Sequence, residues 1–116
     1  MKFQPGETNI ICTNLKASLT FYRDILGFSP TLDDDGFYHL QASGQQFLLL
    51  PNATEKFPDA KYESIAHMSM DLYVKNLEKA YHYFKDHNVP FAQKWQSGAV
   101  MFVIRDPDGL HWEILE

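Results

Sequence analysis

Asn14-Leu15-Lys16-Ala17-Ser18-Leu19-Thr20-Phe21-Tyr22-Arg23-Asp24 is answered later in the chain by Asn76-Leu77-Glu78-Lys79-Ala80-Tyr81-His82-Tyr83-Phe84-Lys85-Asp86. The pairs Asn14/Asn76, Leu15/Leu77 and Phe21-Tyr22-Arg23-Asp24/Tyr83-Phe84-Lys85-Asp86 all stand 62 positions apart. A repeat at fixed spacing marks a duplicated structural unit. Both copies read as helices. Asn14 and Asn76 are N-caps, because a side-chain oxygen there accepts an unpaired amide of the first turn. Leu15, Leu19, Tyr22 and Leu26 form one apolar stripe, and Leu77, Ala80, Tyr81 and Phe84 the other. Gly27 and Asn88 suit the left-handed residue that ends a helix, and Pro90 blocks continuation of the second. The two stops lie 61 positions apart, so the repeat slips by one residue there.

Outward from each helix, the pattern changes to strand. An alternating segment precedes each helix, Thr8-Ile10-Cys12 in the first copy and Met68-Met70-Leu72-Val74 in the second. Three short β-rich segments follow each, separated by turn residues. The first set spans about Ser29 to Leu32, Phe37 to Ala42 and Gln46 to Leu50, with turns at Asp33-Asp34-Asp35-Gly36 and Ser43-Gly44. The second spans about Phe91 to Gln96, Val100 to Arg105 and Leu110 to Leu115, with turns at Ser97-Gly98 and Asp106-Pro107-Asp108-Gly109. The expected architecture is a single α+β domain over 1–116. Its two βαβββ modules, about 6–51 and 66–116, are joined by a linker at about 52–65, and their two sheets can cover one face with helices and turn the other toward a shared cleft.

Composition narrows the function classes. At 116 residues, 45% hydrophobic and 22% charged, the chain fits one globular domain with its own core. No 18-residue apolar run exists and the first residues lack the apolar stretch of a signal peptide, so the expected compartment is the cytoplasm. Cys12 is the only cysteine, which excludes an intrachain disulfide; its apolar context reads as a buried structural thiol. A net charge of −5 without a basic stripe argues against nucleic acid and anionic membrane surfaces as partners.

Asn14 to Tyr22 followed by Leu26-Gly27-Phe28, together with Phe102-Val103-Ile104-Arg105-Asp106-Pro107-Asp108-Gly109-Leu110-His111-Trp112-Glu113-Ile114, resembles the signatures of the vicinal oxygen chelate family of glyoxalases, bleomycin-resistance proteins and extradiol dioxygenases. The resemblance implies an α+β fold of paired βαβββ modules whose curled mixed sheets surround a cleft, usually in a homodimer. In the family's enzymes a divalent metal takes one ligand from the first and one from the last strand of each module and acts as a Lewis acid. Other members bind a drug without metal.

Carried over residue by residue, that ligand set falls on Glu7, Leu48, Ser69 and Glu113. Glu7 and Glu113 can coordinate zinc, iron, manganese or nickel; Leu48 cannot, and Ser69 is a poor ligand. The standard four-ligand set is therefore not present, and a metal site needs a replacement such as His67, which shares the strand face of Ser69, or His111, which shares that of Glu113. His39, His82 and His87 read as surface residues. If Ile10, Cys12, Met70, Leu72, Val74, Leu110, Trp112 and Ile114 face the helices, alternation turns Glu7, Asn9, Ile11, Ser69, Asp71, Tyr73, His111 and Glu113 toward the cleft. Asn9, Ile11, Ser69, Asp71, Tyr73 and His111 are thus candidate ligand contacts, Glu113 a candidate catalytic acid or base, and Glu7, His67 and Glu113 candidate metal ligands. The expected function is small-molecule binding in the cleft without the standard metal site. The alternatives are a metal-dependent lyase, isomerase or dioxygenase using Glu7 and Glu113, and an interaction module with a vestigial cleft.

Overall fold

The structure is a computed structural model that describes residues 1–64 and 68–116. His67, a candidate ligand, lies outside the described residues. Two compact units divide the chain, Met1–Lys56 and Phe57–Glu116. The first runs β1 (Thr8–Ile11), α1 (Leu15–Leu19) with a π-helical continuation (Thr20–Ile25), β2 (Ser29–Leu32), β3 (Tyr38–Ala42) and β4 (Gln45–Leu50). The second runs β5 (Met70–Tyr73), α2 (Leu77–Asp86), β6 (Phe91–Gln93), β7 (Met101–Arg105) and β8 (His111–Leu115). Each unit builds a four-stranded mixed sheet, ordered β1-β4-β3-β2 in one and β5-β8-β7-β6 in the other. The first and last strands pair in parallel, Asn9 opposite Leu48 and Asp71 opposite Glu113, while the remaining pairs are antiparallel. The duplicated βαβββ organisation is thus present. No helix among the described residues is long and apolar enough to cross a membrane.

Both caps form. Asn14 Oδ1 accepts from Ala17 N at 3.0 Å, and Asn76 Oδ1 from Lys79 N at 2.8 Å. Gly27 (φ 77°) and Asn88 (φ 57°) take the left-handed conformation at the helix ends. The first helix departs from the expected continuous α-helix. Past Leu19 it turns π-helical, with Leu26 N donating to Phe21 O at 2.9 Å. This accounts for the slip in the repeat: the stretch from Asn14 to Gly27 holds one residue more than that from Asn76 to Asn88. A wide turn absorbs an inserted residue without unwinding the rest of the helix. The shifted register buries Phe21 beside Tyr22.

Strand alternation sets the two faces of each sheet. Ile10, Cys12, Leu40, Phe47 and Leu49 are buried in the first unit, and Phe102, Ile104, Trp112 and Ile114 in the second. Ile11 and Tyr73 are exposed on the opposite faces. Aromatic rings fill both cores: Phe28 stacks on Phe47, and Tyr81 contacts Phe91, Trp95 and Phe102. Strand β6 ends at Gln93, short of the expected Gln96, because pairing with β7 shifts register between Phe91 and Gln93; beyond it the Trp95 indole donates to Ala99 O at 3.1 Å.

The two acidic turns share one design in hairpins that are not equivalent in the repeat. Asp33 Oδ1 accepts from the amides of Asp35 and Phe37 between β2 and β3. Asp106 Oδ1 accepts from those of Asp108 and Leu110 between β7 and β8. In each a glycine completes the turn at positive φ, Gly36 at 88° and Gly109 at 94°.

Candidate functional site

In the first unit, Glu7 at the approach to β1 meets His39 on β3. His39 Nδ1 lies 2.6 Å from Glu7 Oε2 and Nε2 lies 2.7 Å from Asp33 Oδ2. Both ring nitrogens face carboxylate oxygens, so both bonds form together only when the ring is the doubly protonated imidazolium. Hydrogen bonding to Glu7 and then to Asp33 raises the His39 pKa; the bond from His39, followed by the Phe37 amide, lowers that of Asp33. A raised histidine pKa contributes stability that is complete below its unfolded value near 6.5 and fades as pH climbs through the folded one. A lowered aspartate pKa contributes stability that is complete above about 4 and fades as pH falls through the folded one. The clamp's contribution to stability is therefore complete between about pH 4 and 6.5. We expect His39→Gln to lower the urea midpoint more at pH 5.5 than at pH 9; equal losses at both would contradict the imidazolium assignment.

In the second unit, residues 57–64, within the stretch read as linker, form a strap fixed to β7, β8 and their turn. Phe57 N donates to Asp108 O at 2.8 Å, Arg105 reaches Ala60 O at 2.8 Å and Asp59 at 2.9 Å, and Tyr62 donates to Glu113 Oε2 at 2.6 Å. Ser64 N and Oγ both bond Lys61 O, closing a turn with Glu63 at φ 66° that presents Tyr62. The Tyr62 hydroxyl also lies 2.9 Å from Ser69 Oγ. Its single proton goes to Glu113, so the Ser69 hydroxyl is the donor in that second contact and the order is Ser69 to Tyr62 to Glu113. Burial, followed by the bond to Glu113, raises the Tyr62 pKa.

A pocket of about 90 Å³ opens between strap and sheet, lined by Phe57, Tyr62, Met68, Ser69, Leu110 and His111 among others. The His111 ring sits 5.5 Å from that of Tyr62. Burial, and then the Arg105 charge, lowers the His111 pKa, which favours the neutral ring that both donates and accepts. Glu113 is not among the lining residues.

Of the candidates read from sequence, Ser69 and Glu113 are thus joined through Tyr62, and His111 packs against that same tyrosine. Glu7 is engaged by His39. Asn9 and Ile11 on β1, like Asp71 and Tyr73 on β5, are exposed. Tyr62, Asp33 and Arg105 were not singled out by the sequence, and His39, read as a surface residue, bridges two carboxylates from its part-exposed position.

These side chains do not fit the family's cation set. In the first unit Glu7 is held by His39, and Leu48 offers no donor. In the second, Ser69 and Glu113 share a phenol hydroxyl. Among the described residues no group of three or more His, Cys, Asp or Glu is arranged to hold a metal ion.

A family model described as the Glyoxalase/Bleomycin resistance protein/Dioxygenase superfamily matches residues 4–114. Among solved structures, the chain is similar to an integron cassette protein from the mobile metagenome of V. cholerae (21% identity, 98% of this chain and 95% of that one, TM-score 0.70). It is also similar to lactoylglutathione lyase from Agrobacterium tumefaciens (22% identity, 97% and 92%, TM-score 0.66) and to the trypanothione-dependent glyoxalase I of Leishmania major (20% identity, 95% and 84%, TM-score 0.68). At these identities the likeness speaks for fold alone. No curated protein matches the chain.

Proposed function

Because the chain belongs to the glyoxalase/bleomycin resistance protein/dioxygenase superfamily, we propose that it binds a small molecule through hydrogen bonds and ring contacts, without the standard four-ligand metal site. The observation that carries this reading is the pocket of the second unit, where Ser69, His111 and the edge of Tyr62 supply polar groups between the apolar walls of Phe57, Met68 and Leu110. A concavity in which a few polar groups converge beside apolar walls is a usual form of a ligand site. Its volume of about 90 Å³ corresponds to roughly three waters, which suits one ring or a short polar group rather than a whole drug-sized molecule.

The reading sets Tyr62 against a metal-dependent lyase, isomerase or dioxygenase. A cation at Glu113 has to displace a charge-assisted bond of 2.6 Å and gains only a neutral hydroxyl, Ser69, beside it. Glu113 then acts on Tyr62 as a fixed acceptor that orients the phenol.

Screening a library of ring-sized fragments by amide NMR shifts tests this. Binders are expected to move the signals of Tyr62, Ser69, Leu110 and His111, and Ser69→Ala with His111→Ala to weaken them by about tenfold, the loss of one to two hydrogen bonds. Shifts confined to other surfaces, or none at all, would overturn the reading.

A further inference from the structure

The chain carries more acid than base, with fifteen Asp and Glu against ten Lys and Arg, and Glu113 lies next to the pocket. Taken alone, these facts point to a cationic ligand. The geometry points the other way. Tyr62 and Ser69 both line the pocket, whereas Glu113, which accepts from Tyr62, does not. The phenol stands in front of the carboxylate and spends its proton on it. Among the described residues no Lys, Arg or Asp lines the cavity, and the one acidic residue there, Glu63, is exposed. Apart from the solvent-exposed Glu63, what a ligand meets is a neutral set: the Ser69 hydroxyl oxygen, the imidazole of His111, and the rings of Phe57 and Tyr62. Such a set has both donor and acceptor capacity beside flat apolar walls.

We propose that Tyr62 is the specificity-determining residue of this pocket, masking Glu113 so that the site selects an uncharged, planar ligand with an amide-like donor and acceptor pair over a cation of the same shape. The inference rests on the reading of the pocket as a ligand site. Selection arises from withholding the Glu113 charge: an ammonium or amidinium that enters loses water and finds only the solvent-screened Glu63, while an amide exchanges its water contacts for Ser69 and His111. Tyr62→Phe keeps the ring but removes the hydroxyl, which leaves the Glu113 carboxylate without its donor and open to a cation.

Benzamide and benzamidine are near-isosteric and differ by one positive charge, so they make the test. Titrations at pH 8, where an ordinary imidazole is neutral, follow the Leu110 and His111 amide signals. Benzamide is expected to bind the unmodified protein about tenfold more tightly than benzamidine. Tyr62→Phe is expected to tighten benzamidine at least about fivefold and to change benzamide by less than about threefold. Adding Glu113→Gln to Tyr62→Phe is expected to cancel the gain, which ties it to the unmasked carboxylate. Benzamidine binding as well as benzamide before mutation, or unmoved by Tyr62→Phe, would overturn the masking role while leaving the pocket as a ligand site. If neither probe moves these signals in either protein, the ligand-site reading fails and takes the masking role with it.

Discussion

Trp112→Ala is expected to destabilise the protein by about 3–5 kcal/mol, the usual cost of truncating a fully buried large aromatic ring. Trp112 is 1% exposed and lies on β8, the strand held between β5 and β7, opposite Met70 and Ile104. The indole thus packs under the strand that carries His111 and Glu113 on its other face. Small domains are stable by about 5–15 kcal/mol in total, so the loss removes a large share of the margin. Urea unfolding followed by circular dichroism measures it. Trp112→Phe, which keeps a ring in the site, is expected to cost distinctly less. A loss below about 1 kcal/mol for the alanine variant would show that β8 is not the centre of the second unit's core.

Gly109→Ala is the second large effect, and it joins stability to the site. Gly109 sits at φ 94°, where a side chain is strained, and an added Cβ would meet Phe57 Cβ at 3.0 Å and its carbonyl oxygen at 3.2 Å. Backbone cannot swing away as a flexible side chain does. The expected cost is about 1–3 kcal/mol, together with displacement of the strap at its Phe57 anchor. Faster amide exchange at Phe57 and weaker fragment binding at Tyr62 would accompany the stability loss. Gly44→Asn provides the contrast: Gly44 is also left-handed, at φ 83°, but nothing lies within 4 Å, and asparagine tolerates that conformation. If Gly109→Ala cost no more than Gly44→Asn, the close approach of strap to turn would be refuted.

Much of the fold was legible because it is written in local pattern and repeated. Asn14 and Asn76 announce their caps by residue type and spacing, and Gly27 and Asn88 their stops. The one-residue slip between copies was visible as an offset, but only the backbone revealed the π-helical turn that absorbs it, since a 3.6-residue period does not distinguish an α-turn from a wider one. Alternation along β1, β5 and β8 separated Ile10, Trp112 and Ile114 from Ile11 and Tyr73.

The site was less legible because alternation gives a face and not a partner. His39 could be placed on a strand, but Glu7 lies 32 residues from it and no local rule joins them. Tyr62 is harder still. It belongs to an aperiodic stretch, has no counterpart in the other copy, and its acceptor Glu113 lies 51 residues away. Prolines and mixed charge there read as linker; the anchors that make it a strap are Arg105 and the turn at Asp108, each remote in sequence. Transferring ligand positions from the family found Ser69 and Glu113 but not the hydroxyl between them.

Whether Glu113 keeps its phenol partner or yields to a cation is decided most directly by elemental analysis. Protein purified without chelator is dialysed against zinc, iron, manganese or nickel, beside Glu113→Ala treated identically. With Tyr62 as the partner, neither protein is expected to retain stoichiometric metal after dialysis. One metal ion per chain in the unmodified protein, lost in Glu113→Ala, would show that a cation takes the phenol's place.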